Sequence, residues 1–130
     1  MAIEIKPKVT SLNTIDFASM LLFARNQIHI LHLQSLSYAQ HVALNEAYDL
    51  ILDSFDQFVE TIQGKEGTIL KGYKSYSYVD TEPIAYIQTV INAINTYRKS
   101  LSTNYDEIDN MLQETVSGLE KIVYKLKFLK

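Results

Sequence analysis

The chain has 130 residues, of which 47% are hydrophobic and 21% charged, with 15 acids, 12 bases and a formal net charge of -3. That length holds one compact domain, and the apolar content with only 4 Gly and 2 Pro excludes both a disordered tail and an all-β sandwich of many short strands. The absence of Cys removes disulfide scaffolds, thiolate zinc sites, iron–sulfur clusters and cysteine nucleophiles together. The N-terminus lacks the apolar core of a signal peptide, and no stretch approaches the roughly 18 apolar residues of a membrane span. The expectation is a cytoplasmic chain with no membrane partner, a single domain over 1–130 with a short N-terminal arm at 1–11.

The first periodic segment runs from about Asn13 to Leu33, where Ile15, Ala18, Leu22, Arg25, Ile28 and His32 follow three- and four-residue steps after the cap cluster Thr10, Ser11 and Asn13. Helical residues then continue without Gly or Pro to Gln63, too far for one globular helix. A break is expected at Ser35-Leu36-Ser37, because Ser37-Tyr38-Ala39-Gln40 has the form of a capping box. The second helix then runs from near Tyr38 to Gly64, a residue suited to a left-handed helix end.

From 64 to 82 the periodicity dissolves into a connection that includes the polar tyrosine stretch Lys74-Ser75-Tyr76-Ser77-Tyr78. The third helix is predicted to open at Asp80-Thr81-Glu82-Pro83 and to carry Ile84, Ile87, Ile91, Ile94 and Leu101 on its apolar face. The fourth follows the caps Ser102, Thr103 and Asn104 and carries Ile108, Met111, Leu112, Leu119, Ile122, Val123, Leu126 and Leu129. Four helices, short turns and one long connection predict an all-α four-helix bundle with a crossover between the second and third helices.

The ionisable residues are unevenly spread. Between Arg25 and Lys65 there is no Lys or Arg, yet this stretch holds His29, His32, His41, Glu46, Asp49, Asp53, Asp56 and Glu60. On a helical wheel His41, Asn45, Asp49, Asp53, Asp56 and Glu60 form one stripe, opposite a face carrying Leu44, Ile51, Phe55, Phe58 and Ile62. A solvated face is the plain reading of such a stripe, but Asp49 over Asp53 and Asp56 over Glu60 stack like charges with no cation on the same helix, which points to a metal or a basic partner. His32 reads as a packing or surface residue. Lys121, Lys125, Lys127 and Lys130 complement the negative end of a final helix.

The intervals His29, twelve residues to His41, four to Asn45, eleven to Asp56 and four to Glu60 resemble those of the Dps family, the DNA-binding proteins from starved cells, which are miniature ferritins with His, His, Asp, Asp and Glu at those positions. Arg25-Asn26, Asp106-Glu107-Ile108-Asp109-Asn110-Met111-Leu112 and Leu119-Glu120-Lys121-Ile122-Val123-Tyr124 are also similar to that family. The resemblance implies a ferritin-like fold, two-fold dimers in a twelve-subunit shell, and iron bound between subunits by His29 and His41 of one chain with Asp56 and Glu60 of another. Ferrous iron would be oxidised there by peroxide and stored, which protects against peroxide damage and would make the protein a ferroxidase. The chain departs from the family's pattern at Asn45, where an acid is usual, and at Ile30, which follows the first histidine where a Trp is common. It also has no Gly-Pro turn between its first two helices. Asn45 and Asp49 are therefore auxiliary ligand candidates. DNA binding is poorly supported, since the arm offers only Lys6 and Lys8, leaving Lys65, Lys71, Lys74 and three tyrosines of the connection as a weak alternative. The rival reading is a metal-free helical bundle acting as a structural or interaction protein.

Overall fold

Asn13 opens the first helix, its Oδ1 accepting the Asp16 N–H at 2.9 Å. The computed structural model describes residues 13–130, so the arm at 1–11, and with it Thr10 and Ser11, lies outside the described residues. Helix α1 spans Thr14–Gln34, α2 Tyr38–Glu66, α3 Pro83–Lys99 and α4 Asp106–Phe128, with a 3₁₀ turn at Thr103–Tyr105. The protein is all-helical with four helices, and among the described residues there is no strand.

The helix ends correct the sequence reading in four places. Ser37 does cap α2, its Oγ accepting the Gln40 N–H at 3.3 Å, but the reciprocal half of the box is missing. The Ser37 N–H donates to Ser35 Oγ at 3.3 Å, and the Gln40 side chain accepts from the same Ser35 hydroxyl at 2.8 Å. The turn is so short that Ser35 reaches both partners first.

The second correction is the end of α2. The helix runs past Gly64 to Glu66, and Gly67, with φ 70°, is the left-handed residue whose N–H reaches Gln63 O at 2.8 Å. A glycine inside a helix costs about 1 kcal/mol relative to Ala. The two residues that follow it offset that cost with tertiary contacts: Lys65 pairs with Glu107 at 3.0 Å, and Tyr105 donates to Glu66 at 2.8 Å.

In α3, Pro83 takes the first helical position, but Glu82 flanks it without a side-chain cap, and neither Asp80 nor Thr81 is the N-cap residue. Before α4, Asn104 sits inside the 3₁₀ turn and does not cap. Acids Asp106, Glu107 and Asp109 open α4 and lysines Lys125 and Lys127 close it, both favourable to the helix dipole.

Helix α1 packs on α2 and α3, and α4 packs on the same two. Phe17, Phe58 and Tyr97 tie α1, α2 and α3 together at one end, with Phe17 and Tyr97 stacked at 4.1 Å and Phe58 edge-on to both. Tyr97, absent from the expected apolar face of α3, is fully buried and places its hydroxyl 3.0 Å from Thr14 Oγ1. Burial pushes its phenol up to about 12. On α4, Gly118 lets α2 approach closely, since a Cβ there would stand 2.6 Å from Leu50 Cδ2.

Residues 67–82 connect α2 to α3 without helix, and their backbone needs partners. The Leu70 N–H finds Gln63 Oε1 at 2.9 Å, and the Lys74 N–H finds the buried Ser19 Oγ at 2.9 Å. Lys74 also pairs with Asp16. Val79 is held twice, its carbonyl accepting from Gln27 Nε2 at 2.6 Å and its N–H donating to Gln27 Oε1 at 3.0 Å. Tyr78 donates to Gln34 at 2.9 Å. The strap therefore runs beside α1 from its first turn to its last.

Gln27→Leu keeps the volume but orphans a donor and an acceptor, each costing roughly 1–3 kcal/mol where water is excluded. Because the Val79 side is partly wet, a total near 2 kcal/mol is expected from urea unfolding, together with faster hydrogen exchange at the Val79 amide. An unchanged midpoint with Val79 still protected would show that the strap does not depend on this pair.

Candidate functional site

The short turn at 35–37 folds α2 back along α1, so that residues late in α1 face residues early in α2. His32 and His41 meet first. His32 Nδ1 lies 2.6 Å from His41 O and His41 Nδ1 lies 3.0 Å from His32 O. A carbonyl only accepts, so both Nδ1 atoms carry a hydrogen and donate. The two rings stack at 3.6 Å. His32 O, at the end of α1, accepts the Ser35 N–H at 3.3 Å and takes the His41 side chain as a second donor. His32, expected to be a packing or surface residue, is 6% exposed and stacks on His41.

One turn earlier on α1, His29 stacks on Tyr48 of α2 at 4.2 Å, and the Arg25 guanidinium lies 5.0 Å from the same ring's centroid. Tyr48 donates to Asn45 Oδ1 at 2.8 Å, and Asn45 Nδ2 donates to Asp49 at 3.0 Å. Burial, then the charges of Arg25 and His32, hold the His29 imidazole below its usual range, with Asp49 pulling weakly the other way. His29 is therefore neutral at pH 7, the form that ligates metals.

The structure thus brings His29, His41, Asn45 and Asp49 to one end of the α1–α2 pair. Asp56 and Glu60 do not join them. Both are exposed on α2, and Asp56 stands fifteen residues beyond His41, about 22 Å along a straight helix. Among the described residues of one chain, no group of three His, Asp or Glu side chains is placed to hold a metal ion. Arg25 and Tyr48 were missed as neighbours of the site. The signal for both was the turn at 35–37, since folding the helices back about it sets 25 against 48 as it sets 32 against 41.

Acidification reads this arrangement directly. The unfolded chain takes up a proton at His29 near its ordinary value of 6.5, whereas the folded chain resists until a lower pH. Between the two values the unfolded state binds more protons, so stability is intact above 6.5 and is lost as pH falls through that window. Urea midpoints at pH 7.5 and 5 should differ less in His29→Gln than in the unmodified protein; an identical difference in both would exclude His29 as the source.

No helix among the described residues is long and apolar enough to cross a membrane. The chain is 24% identical over 115 residues to the "Uncharacterized 14.6 kDa protein in mobD-ri intergenic region" of Enterobacteria phage T4, an alignment covering 88% of this chain and 84% of the phage protein. No solved structure matches it. A family profile matches residues 32–126, from the stacked His32 to the last buried leucine of α4, and on that match the chain belongs to the family of unknown function DUF5856.

Proposed function

We propose that this protein is a Dps-like, ferritin-like bundle that pairs through its α1–α2 face and oxidises and sequesters ferrous iron between two copies. The observation that carries the reading is the layout of the α2 stripe, with imidazoles at one end of the face and Asp56 and Glu60 at the other. A two-fold axis across that face turns one copy's carboxylates toward the other copy's histidines, which a single chain cannot do. Leu22, Ile30, Leu33, Val42 and Leu52 are exposed on these two helices and supply the apolar surface that such a contact buries.

The helix neighbours support the ferritin-like comparison, because α1 touches α2 and α3 while α4 touches the same pair, and the strap crosses the length of α1 between α2 and α3. At the His end, His41 keeps Nε2 available while its Nδ1 is fixed by a carbonyl, the orientation typical of a ligating imidazole. Two neutral imidazoles and two carboxylates suit a divalent first-row metal and leave positions for the oxidant. Each ferrous ion would give one electron, and two electrons with two protons would reduce one hydrogen peroxide to two waters. Asn45 brings no charge, so one tightly held iron per interfacial site is expected. DNA remains a poor partner: Tyr73 lies against Phe55 and Tyr76 against Phe23, so the strap aromatics already have protein neighbours.

One observation favours the metal-free interaction protein instead. The His41 ring is stacked on His32, and both ends of the Asn45 amide are engaged by Tyr48 and Asp49. Complementation separates the readings. His41→Ala and Asp56→Ala should each abolish peroxide-dependent ferric absorbance after anaerobic ferrous loading. Exchanging subunits between the two variants should restore roughly a quarter of the sites, because half of the random dimers are mixed and each mixed dimer holds one intact site. Background absorbance from the unmodified protein would leave the metal-free bundle as the function.

A further inference from the structure

Asp53, Asp56 and Glu60 stand exposed within two turns of α2 and form no ion pair among the described residues. The lysines Lys65, Lys74 and Lys125 are engaged elsewhere, by Glu107, Asp16 and Glu46. Apolar surface lies at the same height. Phe17 meets Phe58 and Arg25 approaches Tyr48, so in this antiparallel pair Leu22 stands level with Leu52, and the two leucines are 37% and 36% exposed.

The same register locates the root of the N-terminal segment. Four residues before Phe17, Asn13 stands level with Ile62, from which Glu60, Asp56 and Asp53 lie about 3, 9 and 14 Å along α2. Residues 3–9 precede the described part of the chain and read Ile3, Glu4, Ile5, Lys6, Pro7, Lys8 and Val9, apolar or Pro at odd positions and charged at even ones. A period of two is the pattern of an extended segment, and Pro7 suits that conformation and not a helix interior. At about 3.3 Å per residue, Lys8 reaches about 17 Å and Lys6 about 23 Å from Asn13. Crossing from α1 to α2 uses about 10 Å of that, which leaves about 7 Å for Lys8 and 13 Å for Lys6. Those lengths end between Glu60 and Asp56 for Lys8 and at Asp53 for Lys6. The two lysines, on one side of an extended segment, are also about 7 Å apart, close to the ~6 Å between carboxylates one helical turn apart.

We propose that the segment before Asn13 docks extended along the outer face of α2 of its own chain. Lys8 and Lys6 then answer Glu60, Asp56 and Asp53, and the opposite edge sets Ile5 and Val9 beside Leu52 and Leu22. The contact requires neither iron nor a second copy. Where two copies pair through the α1–α2 face, the segment is a cover that pairing has to displace.

The chain has no Cys, so Ala2→Cys accepts a single nitroxide whose paramagnetic broadening of amide signals locates the segment. Amide peaks of residues 45–56 should lose about two-thirds of their intensity and regain it in 1 M NaCl, where the screening length is about 3 Å. Lys6→Glu with Lys8→Glu should also restore the peaks. Adding Asp53→Lys, Asp56→Lys and Glu60→Lys to the reversed segment should bring the broadening back, with helicity unchanged because these three side chains lie outside the core. Full peaks in the labelled protein at low salt, or broadening that survives Lys6→Glu/Lys8→Glu, overturns the proposal. So does broadening in an isotope-enriched unlabelled chain mixed with the nitroxide-bearing one, which would place the segment on a second copy.

Discussion

The bidentate pair between Gln27 and Val79 anchors the strap that joins the two halves of this bundle. A helical hairpin such as α1–α2 satisfies its own backbone, and so does α3–α4, but the extended strap between them cannot. Its backbone groups near 70, 74 and 79 are satisfied by Gln63, Ser19 and Gln27 in that order. Because two of those three side chains lie on α1, eight residues apart, the strap has to travel alongside α1 and release the chain near the α1–α2 turn. From there α3 runs back antiparallel to α1, which brings Tyr97 at its end onto Phe17 at the start of α1. Helix α4 is then left to run opposite α2, where Lys65 meets Glu107 at one end and Lys125 meets Glu46 at the other.

The two ends of the α1–α2 pair are held by different chemistry. At the start of α1, fully buried aromatics supply packing that a single truncation would reduce by about 3–5 kcal/mol. At the turn, two imidazoles exchange hydrogen bonds with the opposite helix's carbonyls. Hydrogen bonds of this kind contribute roughly 0.5–1.5 kcal/mol each. The aromatic end is therefore the stronger clamp, and the histidine end is the one that responds to protons or to a metal.

Periodicity made the helices legible, and local chemistry made two of their starts legible, at Asn13 and Ser37. What holds the strap was not legible, because the partner of Gln27 lies fifty-two residues away and an uncharged Gln in an apolar period carries no sign of it. The end of α2 failed for a related reason. Gly64 and Gly67 are locally equivalent helix stops, and what selects the second is contact with residues 105 and 107, beyond the strap. In the candidate site the stripe of His41, Asn45, Asp49, Asp56 and Glu60 could be drawn on a wheel, but a wheel does not show that His32 locks His41 or that Tyr48 occupies Asn45. The closeness of Gly118 to Leu50 is likewise a property of two helices, invisible in either alone.

The acidic stripe on α2 attracts a metal reading most strongly on paper, and magnitudes show that it cannot bear that weight by itself. Glu46 receives a lysine from α4, and Asp49 receives the Asn45 amide. Asp53, Asp56 and Glu60 form no ion pair among the described residues and stand in solvent, where like charges one turn apart cost about 0.2–0.5 kcal/mol per pair. A domain stable by 5–15 kcal/mol tolerates that without any cation. What repulsion does not explain is position, since the uncompensated carboxylates sit at the far end of the same face that carries the only histidines in the chain. Surface charge relieved by solvent has no reason to keep to that geometry, whereas the pairing proposed above would bring the two ends together.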